Sequence, residues 1–129
     1  MKKIVATIVL LMTSVAFVLA QGTAKIQFEK TSHNFGAFPE TAPKVTYKFK
    51  FKNVGNAPLV IHQAIASCGC VMVQYGKEPV KPGGEGEVTV NYDGTGKFPE
   101  HFRKTVTLRT NAENEIIRLV IEGDMTPAK

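Results

Sequence analysis

The segment KVTYKFKFK at residues 44–52 decides the fold class of this chain. Apolar side chains occupy every second position, at Val45, Tyr47, Phe49 and Phe51, and polar side chains alternate with them. A period of two is that of a β-strand with one face on a core and the other in water. The segment therefore predicts a half-buried strand.

Similar alternation recurs along the rest of the chain, separated by turn sequences such as Pro82-Gly83, which suits the centre of a type II turn. The other predicted strands lie within residues 25–29, from 59 onward, and within 71–75, 88–92, 106–108 and 117–121. About seven short strands at this spacing predict one all-β antiparallel sandwich. Its predicted core consists of Phe28, Tyr47, Phe49, Phe51, Ile61, Val73, Val88, Val90, Val106, Leu108, Leu119 and Ile121.

The first twenty residues have the three parts of a secretory signal peptide. Two lysines precede an apolar run that ends in the small-residue step Val18-Leu19-Ala20. The alternative, an uncleaved anchor, requires roughly 20 apolar residues, more than this run supplies. We expect cleavage after Ala20, a mature domain at residues 21–129 without a transmembrane segment, and a secreted or periplasmic location.

The charge of the chain is modest. The net charge is +5, and removal of residues 1–20 takes away two lysines and no acid, which leaves +3. An excess of this size is not the basic footprint of a nucleic-acid-binding protein. The alternating lysines of residues 44–52 are open to two kinds of interpretation: a cationic ladder for an anionic polymer, or else a solvated sheet face or charge that deters edge-to-edge pairing. We favour the second kind.

No motif for catalysis is visible. A nucleophile needs a base and an orienting acid, and the mature chain offers only His33, His62 and His101 with the aspartates Asp93 and Asp124. No nucleophile elbow, zinc-protease helix or phosphate loop accompanies them. His62 is expected on a solvent face, and the other two histidines are expected in loops. We therefore predict that the protein is not an enzyme and has no catalytic residue.

Several short motifs together resemble an uncharacterised family of secreted bacterial proteins that carries a domain-of-unknown-function label. The motifs are NFG at 34–36, FPE at 38–40, NVG at 53–55, PLVI at 58–61, SCGC at 67–70, PG at 82–83, and the closing Asn111 and Gly123. The layout is similar to the immunoglobulin-like domains of major sperm protein and of Hydin-type ciliary and centrosomal proteins. The resemblance implies an immunoglobulin-like fold and a non-enzymatic interaction or structural role with an unknown envelope or extracellular protein.

The segment Cys68-Gly69-Cys70 is the one candidate for site chemistry. In an extended strand the two Cα atoms would lie roughly 6.6–7 Å apart, the far limit of disulfide geometry, so a bridge requires a bend at Gly69. Three interpretations stay open: a local disulfide or packed thiols, soft-metal binding, and thiol redox exchange. We favour the first, in which the two sulfurs are bonded to each other or idle and the protein needs no cofactor.

In the metal-binding alternative, Cys68 and Cys70 are the candidate ligands. Met72 would share their strand parity and add a third sulfur if the strand stayed regular. Thiolate and thioether ligands suit Cu(I), or Zn(II) with a further nitrogen ligand. The alternative function is accordingly a copper- or zinc-binding protein or a thiol redox protein.

Overall fold

A computed structural model describes residues 22–128, so the predicted signal peptide at residues 1–20 lies outside the described residues. The described chain forms eight β-strands and no helix. The strands are β1 (Ile26–Phe28), β2 (Ser32–Pro39), β3 (Lys44–Asn53), β4 (Ile61–Ala66), β5 (Val71–Tyr75), β6 (Glu85–Asp93), β7 (His101–Thr110) and β8 (Ile116–Thr126).

The strands form two four-stranded sheets packed as a sandwich. One sheet has the order β1-β3-β6-β5, and the other has the order β2-β8-β7-β4. Every pairing is antiparallel except β2 with β8, which is parallel. The predicted all-β sandwich is confirmed, but the strand number is eight rather than about seven, and the sandwich is not wholly antiparallel.

The strand at residues 44–53 shows how the sequence pattern forms the core. Phe49 and Phe51 are buried, whereas the lysines between them are exposed. Most of the predicted core residues are buried in the same way. Phe28, Tyr47 and Val73 are the exceptions, since they are half-buried and pack against the core from its margin.

Strand β2 was not predicted, and its irregularity explains why. The pairing with β8 shifts register between Asn34 and Ala37, and Gly36 within this bulge has a φ of 71°. Side chains alternate faces along a strand, so one inserted residue reverses the parity of those that follow. Phe35 and Phe38 both pack against the core although they differ in parity, which hides the period of two.

The turn predicted at Pro82-Gly83 is confirmed. The amide of Gly84 donates to the carbonyl of Lys81 at 2.8 Å, and Gly83 has a φ of 80°. A type II turn requires a positive φ at its third residue, which glycine adopts without steric cost. Strand β6 begins directly after this turn.

Asparagine side chains secure the end of the sandwich near this turn. Asn53 is fully buried, and its side-chain amide donates to the carbonyls of Ala57 at 2.8 Å and Val80 at 3.0 Å. Its Oδ1 accepts from the amide of Gly55 at 3.0 Å and from that of Lys25 at 3.4 Å. The Val80 carbonyl also accepts from the amide of Leu59, so Asn53 adds a second bond there and supplies partners to Ala57, Gly55 and Lys25.

Two further asparagines perform the same task beside Asn53. Asn111 accepts from the amide of Val60 at 2.7 Å and donates to the carbonyl of Pro58 at 3.0 Å. Asn114 donates to the carbonyl of Ile26 at 3.0 Å. Polar side chains thus fix this end of the sandwich, and the Cys68-Gly69-Cys70 segment lies at the opposite end.

Candidate functional site

The two cysteines lie in the turn that carries the chain from one sheet to the other. Strand β4 is an edge of the second sheet and β5 is an edge of the first, so residues 67–70 form the corner between two edge strands. The amide of Val71 donates to the carbonyl of Cys68 at 3.1 Å, which closes a β-turn around Gly69 and Cys70. The predicted bend is therefore present.

The bend brings the two cysteines together as a disulfide. Their Cα atoms are 5.1 Å apart, and the two sulfur atoms are bonded. Gly69 at the bend has no atom within 4 Å of the place where a Cβ would stand, and its φ is not positive. The turn is therefore open to a side chain at this position, and the glycine is not required by the bend itself.

The bend separates the cysteines from Met72. Cys68 and Cys70 are half-buried and pack against the core, whereas Met72 points to the outer face of its sheet and is 62% exposed. The grouping of three sulfurs on one side required a regular strand, and this condition is not met because the chain bends at Gly69. Among residues 22–128, no group of three or more His, Cys, Asp or Glu side chains is placed to hold a metal ion. Binding of Cu(I) or Zn(II) by the reduced cysteines stays a prediction.

Next to the cysteine turn, the end of β6 contains two groups with shifted pKa values. The amide of Asp93 donates to the carbonyl of Cys70 at 2.9 Å. The hydroxyl of Thr95 donates to the Asp93 carboxylate at 2.5 Å, and this bond with the Thr95 amide lowers the pKa of Asp93. Burial, followed by the nearby Glu100, raises the pKa of Tyr92. Asp93 is thus held charged beside the turn and Tyr92 is held neutral.

The disulfide is expected to matter little for stability. Loss of the bridge through Cys68→Ser with Cys70→Ser should lower the free energy of unfolding by about 1–2 kcal/mol, because a bridge that closes so short a loop removes little entropy from the unfolded chain. Urea unfolding of the wild type and the double variant measures this. An unfolded double variant would contradict the prediction, as would stoichiometric copper or zinc in the wild type that the variant lacks.

The lysine face is not a bare cationic ladder. Strand β1 pairs only with Phe51, Lys52 and Asn53, so residues 44–49 of β3 form an open edge of their sheet. Lys44 and Lys48 lie along this open part, which agrees with a charge that deters edge pairing. Across the sheet, Lys44 faces Asp93, Lys50 faces Glu87 and Lys52 faces Glu85. The lysines are exposed, as expected, and cross-strand carboxylates offset most of their charge.

The histidines are placed differently from the prediction. His62 is exposed, as predicted, but His33 lies within β2 and His101 begins β7, so neither is in a loop. His101 is exposed between two carboxylates, with Nδ1 2.8 Å from Asp124 and Nε2 3.5 Å from Glu122. Among residues 22–128, the polar contacts of this ring are with these two carboxylates.

The imidazole of His33 stacks on Tyr47 with a centroid distance of 3.7 Å and meets the edge of Phe35. Burial, followed by the charge of Lys30, lowers the pKa of His33 below its ordinary value of 6.5. The unfolded chain therefore binds this proton more tightly than the native state. Stability that is complete above pH 6.5 is lost as the pH falls through 6.5 toward the lower native pKa.

Acidification is thus expected to destabilise the wild type more than a His33→Phe variant, which keeps a stacked ring without a titrating group. The measurement is the change in free energy of unfolding between about pH 7.5 and pH 5.5 in both proteins, a window around the ordinary histidine pKa. The wild type and the variant have the same carboxylates, so the contribution of these groups to the change in free energy of unfolding cancels when the two proteins are compared. An equal change in the two proteins would contradict the assignment.

One lateral side of the sandwich is formed by a stretch of the chain that has no charged residue. Asp, Glu, Lys and Arg make up 21% of the sequence, yet none occurs from Asn53 to Gly76. Those residues include β4, the cysteine turn and β5, and we call this the uncharged side. Ile65 on β4 is 48% exposed and Met72 on β5 is 62% exposed. Sequence reasoning missed this surface, although the absence of charges was a visible signal.

Strand β5 presents free backbone groups on the uncharged side. The bond from the Asp93 amide to the Cys70 carbonyl fixes which pairs of the β5–β6 ladder are hydrogen-bonded. Such pairs alternate, so Met72 and Gln74 bond to β6 while the backbone groups of Val73 and Tyr75 point away from it. Within residues 22–128, β6 is the only strand that pairs with β5, so no strand lies beside these outward groups.

The other edge strands are protected in ways that β5 is not. Strand β1 has three residues between charged neighbours. Strand β2 carries the Gly36 bulge and ends at a proline, and β4 has a register shift between Ile61 and Gln63. Short length, bulges and proline all hinder the addition of a further strand. Strand β5 has regular pairing, no proline and no charge, which makes it the edge most open to pairing.

Two packed four-stranded sheets with this connectivity make the chain an immunoglobulin-like β-sandwich domain. Residues 26–125 match the model of the family described as "Protein of unknown function (DUF1573)". The chain belongs to this family, as the sequence motifs predicted. Comparison with curated proteins finds no match.

Solved structures share the fold at low sequence identity. A protein of unknown function from Porphyromonas gingivalis W83 has a TM-score of 0.68 and 15% identity over 80% of this chain and 47% of its own. The present chain thus spans about half the length of that protein. PapD-like domain 7 of human CEP192 has a TM-score of 0.63 and 11% identity over 83% of this chain and 89% of its own.

A third similar structure is the Pseudomonas aeruginosa CupB2 chaperone, with a TM-score of 0.52 and 15% identity over 80% of this chain and 56% of its own. At these identities the likeness shows the fold alone. It confirms the expected immunoglobulin-like fold. No helix within residues 22–128 is long and apolar enough to cross a membrane.

Proposed function

We propose that this protein is an exported, non-enzymatic immunoglobulin-like module that docks a partner protein through its uncharged side. The observation that carries the proposal is the coincidence of three features on one side of the sandwich. Residues 53–76, which form this side, include no charged residue; Ile65 and Met72 are exposed there on the outer faces of their two sheets; and strand β5 has free backbone groups.

The absence of charge lowers the cost of burying this side. A charged side chain taken out of water without a partner costs several kcal/mol, and the centres of protein interfaces are depleted of charged residues. Elsewhere on the sandwich, lysines and glutamates would have to be desolvated, as on the outer face of β3 and β6. A partner that binds the uncharged side therefore pays the smallest desolvation free energy for charged side chains.

The free amides of Val73 and Tyr75 favour addition of a strand. An extended segment laid along a sheet edge gains main-chain hydrogen bonds, and side-chain contacts then give specificity. Exposed Met72 is suited to such contacts because its flexible thioether adapts to different neighbours. The fold also supports the proposal, since a chaperone is among the proteins that share it.

Export is the second half of the proposal, and it rests on the signal peptide predicted at residues 1–20. An extracytoplasmic location also agrees with the Cys68–Cys70 disulfide, because disulfides persist in oxidising compartments. Intact mass of the protein from the cell envelope is expected to show a chain that begins at Gln21. A chain that retains residues 1–20 would instead mean a membrane-anchored protein.

The docking half can be tested by photo-crosslinking in the living cell. A photoreactive residue is placed at Gln74 on β5, or at Lys50 on the charged face as the matched control; both side chains are exposed. We expect protein adducts from position 74 and few from position 50. Each identified partner is then titrated with the purified protein, and Val73→Pro, which removes an outward amide, should weaken binding. Equal adducts at both positions, or none, would contradict docking through this side.

The second candidate function is thiol redox exchange or soft-metal binding, and the surface position of the half-buried Cys68–Cys70 disulfide favours it. A reduction potential near that of the compartment would support exchange. Metal analysis of the reduced protein would reveal copper or zinc. These measurements are independent of the crosslinking experiment.

A further inference from the structure

The free edge of β5 is self-complementary in its hydrogen bonding. If two copies meet antiparallel about a twofold axis at Val73, the outward groups of each strand face those of the other. The amide of Val73 then donates to the carbonyl of Val73 in the second copy, and the amide of Tyr75 donates to the carbonyl of Val71, each bond occurring twice. The amide of Val71 needs no partner, because it already donates to Cys68.

The side chains agree with the same register. On the inner face Val73 would meet its copy, and Tyr75 would meet Val71, an aromatic and β-branched pair of the type that stabilises sheets. On the outer face Met72 would lie opposite Gln74, so that the exposed thioether is covered by an uncharged neighbour. Half-buried Val73 would also lose its remaining exposure.

Charge favours a second copy over a charged partner strand. No charge occurs from Asn53 to Gly76, so two copies of this side bring no like charges together and leave no ion unpaired. The first charge beyond β5 is Lys77, whose Nζ lies 3.9 Å from the centroid of the Tyr75 ring. In the twofold register Lys77 is level with Gly69 of the second copy, within the uncharged turn.

We infer that the partner docked at β5 is a second copy of this chain, joined through antiparallel β5 strands about Val73. The two β1-β3-β6-β5 sheets then form one continuous eight-stranded sheet. The inference rests on the proposed function, because it names the occupant of the uncharged side. The interface is isologous: both copies use the same surface, so assembly stops at a dimer.

The test is sedimentation velocity of the exported protein over a range of concentrations, with paired variants at the two outer-face positions. Both side chains are exposed, so the fold should tolerate the changes, and circular dichroism checks this. Met72→Lys with Gln74→Lys places like charges opposite each other and should weaken the dimer at least tenfold. Met72→Glu with Gln74→Lys places opposite charges in the same positions and should preserve it. Gln27→Lys on the exposed face of β1 is the control and should have no effect.

A wild type that stays monomeric throughout the concentration range would overturn the inference, as would a dimer that both double variants affect equally. If a monomeric protein still crosslinks through position 74 to a different protein that also binds it when purified, the occupant is that protein and only the inference fails. If position 74 crosslinks to nothing in the cell, the proposed docking function fails with it.

Discussion

Replacement of Phe49 by Ala is expected to lower the free energy of unfolding by about 3–5 kcal/mol. The Phe49 side chain is 1% exposed, lies directly across from fully buried Val88, and meets the ring of Tyr47 edge-on at 4.8 Å. Truncation removes the apolar contact area and leaves a cavity that the two sheets cannot close. Urea unfolding monitored by circular dichroism measures the loss.

The neighbouring Lys48→Ala variant is the control for Phe49. The lysine points to the opposite face of the same strand, is exposed, and reaches Glu87 only at 3.7 Å. Surface pairs of this kind are screened by water, so we expect a loss well below 1 kcal/mol. Comparable losses from the two variants would contradict the assignment of the faces of β3.

Replacement of Asn53 by Ala is expected to be as damaging, with a loss of about 3–5 kcal/mol. The side chain is fully buried and hydrogen-bonds the carbonyl of Ala57 and the amide of Gly55, whereas the carbonyl of Val80 keeps a second donor in the Leu59 amide. Each buried backbone group left unpaired costs about 1–3 kcal/mol, and water entering the end of the sandwich recovers part of this. Chemical unfolding at neutral pH provides the measurement.

Asn56→Ala is the matched control for Asn53. Its Oδ1 accepts one bond, from the amide of Thr23 at 2.7 Å, in an exposed position where water can replace it. We expect a loss of about 1 kcal/mol or less. If Asn53→Ala were no worse than Asn56→Ala, the buried asparagine would not be the group that holds these loops together.

The sequence pattern predicted the sandwich wherever strands are regular and half-buried. Strand β3 is the clearest case, because its side chains alternate without interruption between core and water. Strand β2 was not predicted because the bulge at Gly36 reverses the parity between Phe35 and Phe38. Its parallel pairing with β8 depends on the order of strands in space, which local alternation does not encode.

The start of β7 shows a second limit of the pattern. Phe102 is buried and stacks on Tyr92 at a centroid distance of 3.9 Å, yet it was absent from the predicted core. Lys104 lies between Phe102 and Val106 at the same parity, so the apolar alternation is interrupted there. The long aliphatic stem of a lysine can be half-buried while its ammonium reaches water, and a residue-type pattern cannot distinguish the two parts.

The candidate site was only partly predictable. A bend at Gly69 was expected to be necessary for a Cys68–Cys70 bridge, and both the bend and the bridge are present. The freedom of the β5 edge could not be read from sequence, because it depends on which sheet each strand joins. The absence of charges from Asn53 to Gly76 was readable, but its meaning appears only when β4 and β5 are seen at the same side of the sandwich.

The most direct test of docking at this side is amide hydrogen exchange at Val73 and Tyr75. Exchange is started in the intact cell envelope, and the protein is then compared with dilute purified protein. We predict that both amides exchange fast in dilute solution and become protected in the envelope, whereas buried Val90 is protected in both samples and exposed Gly96 in neither. Equal exchange of Val73 and Tyr75 in the two samples would contradict the proposal that a partner strand covers β5.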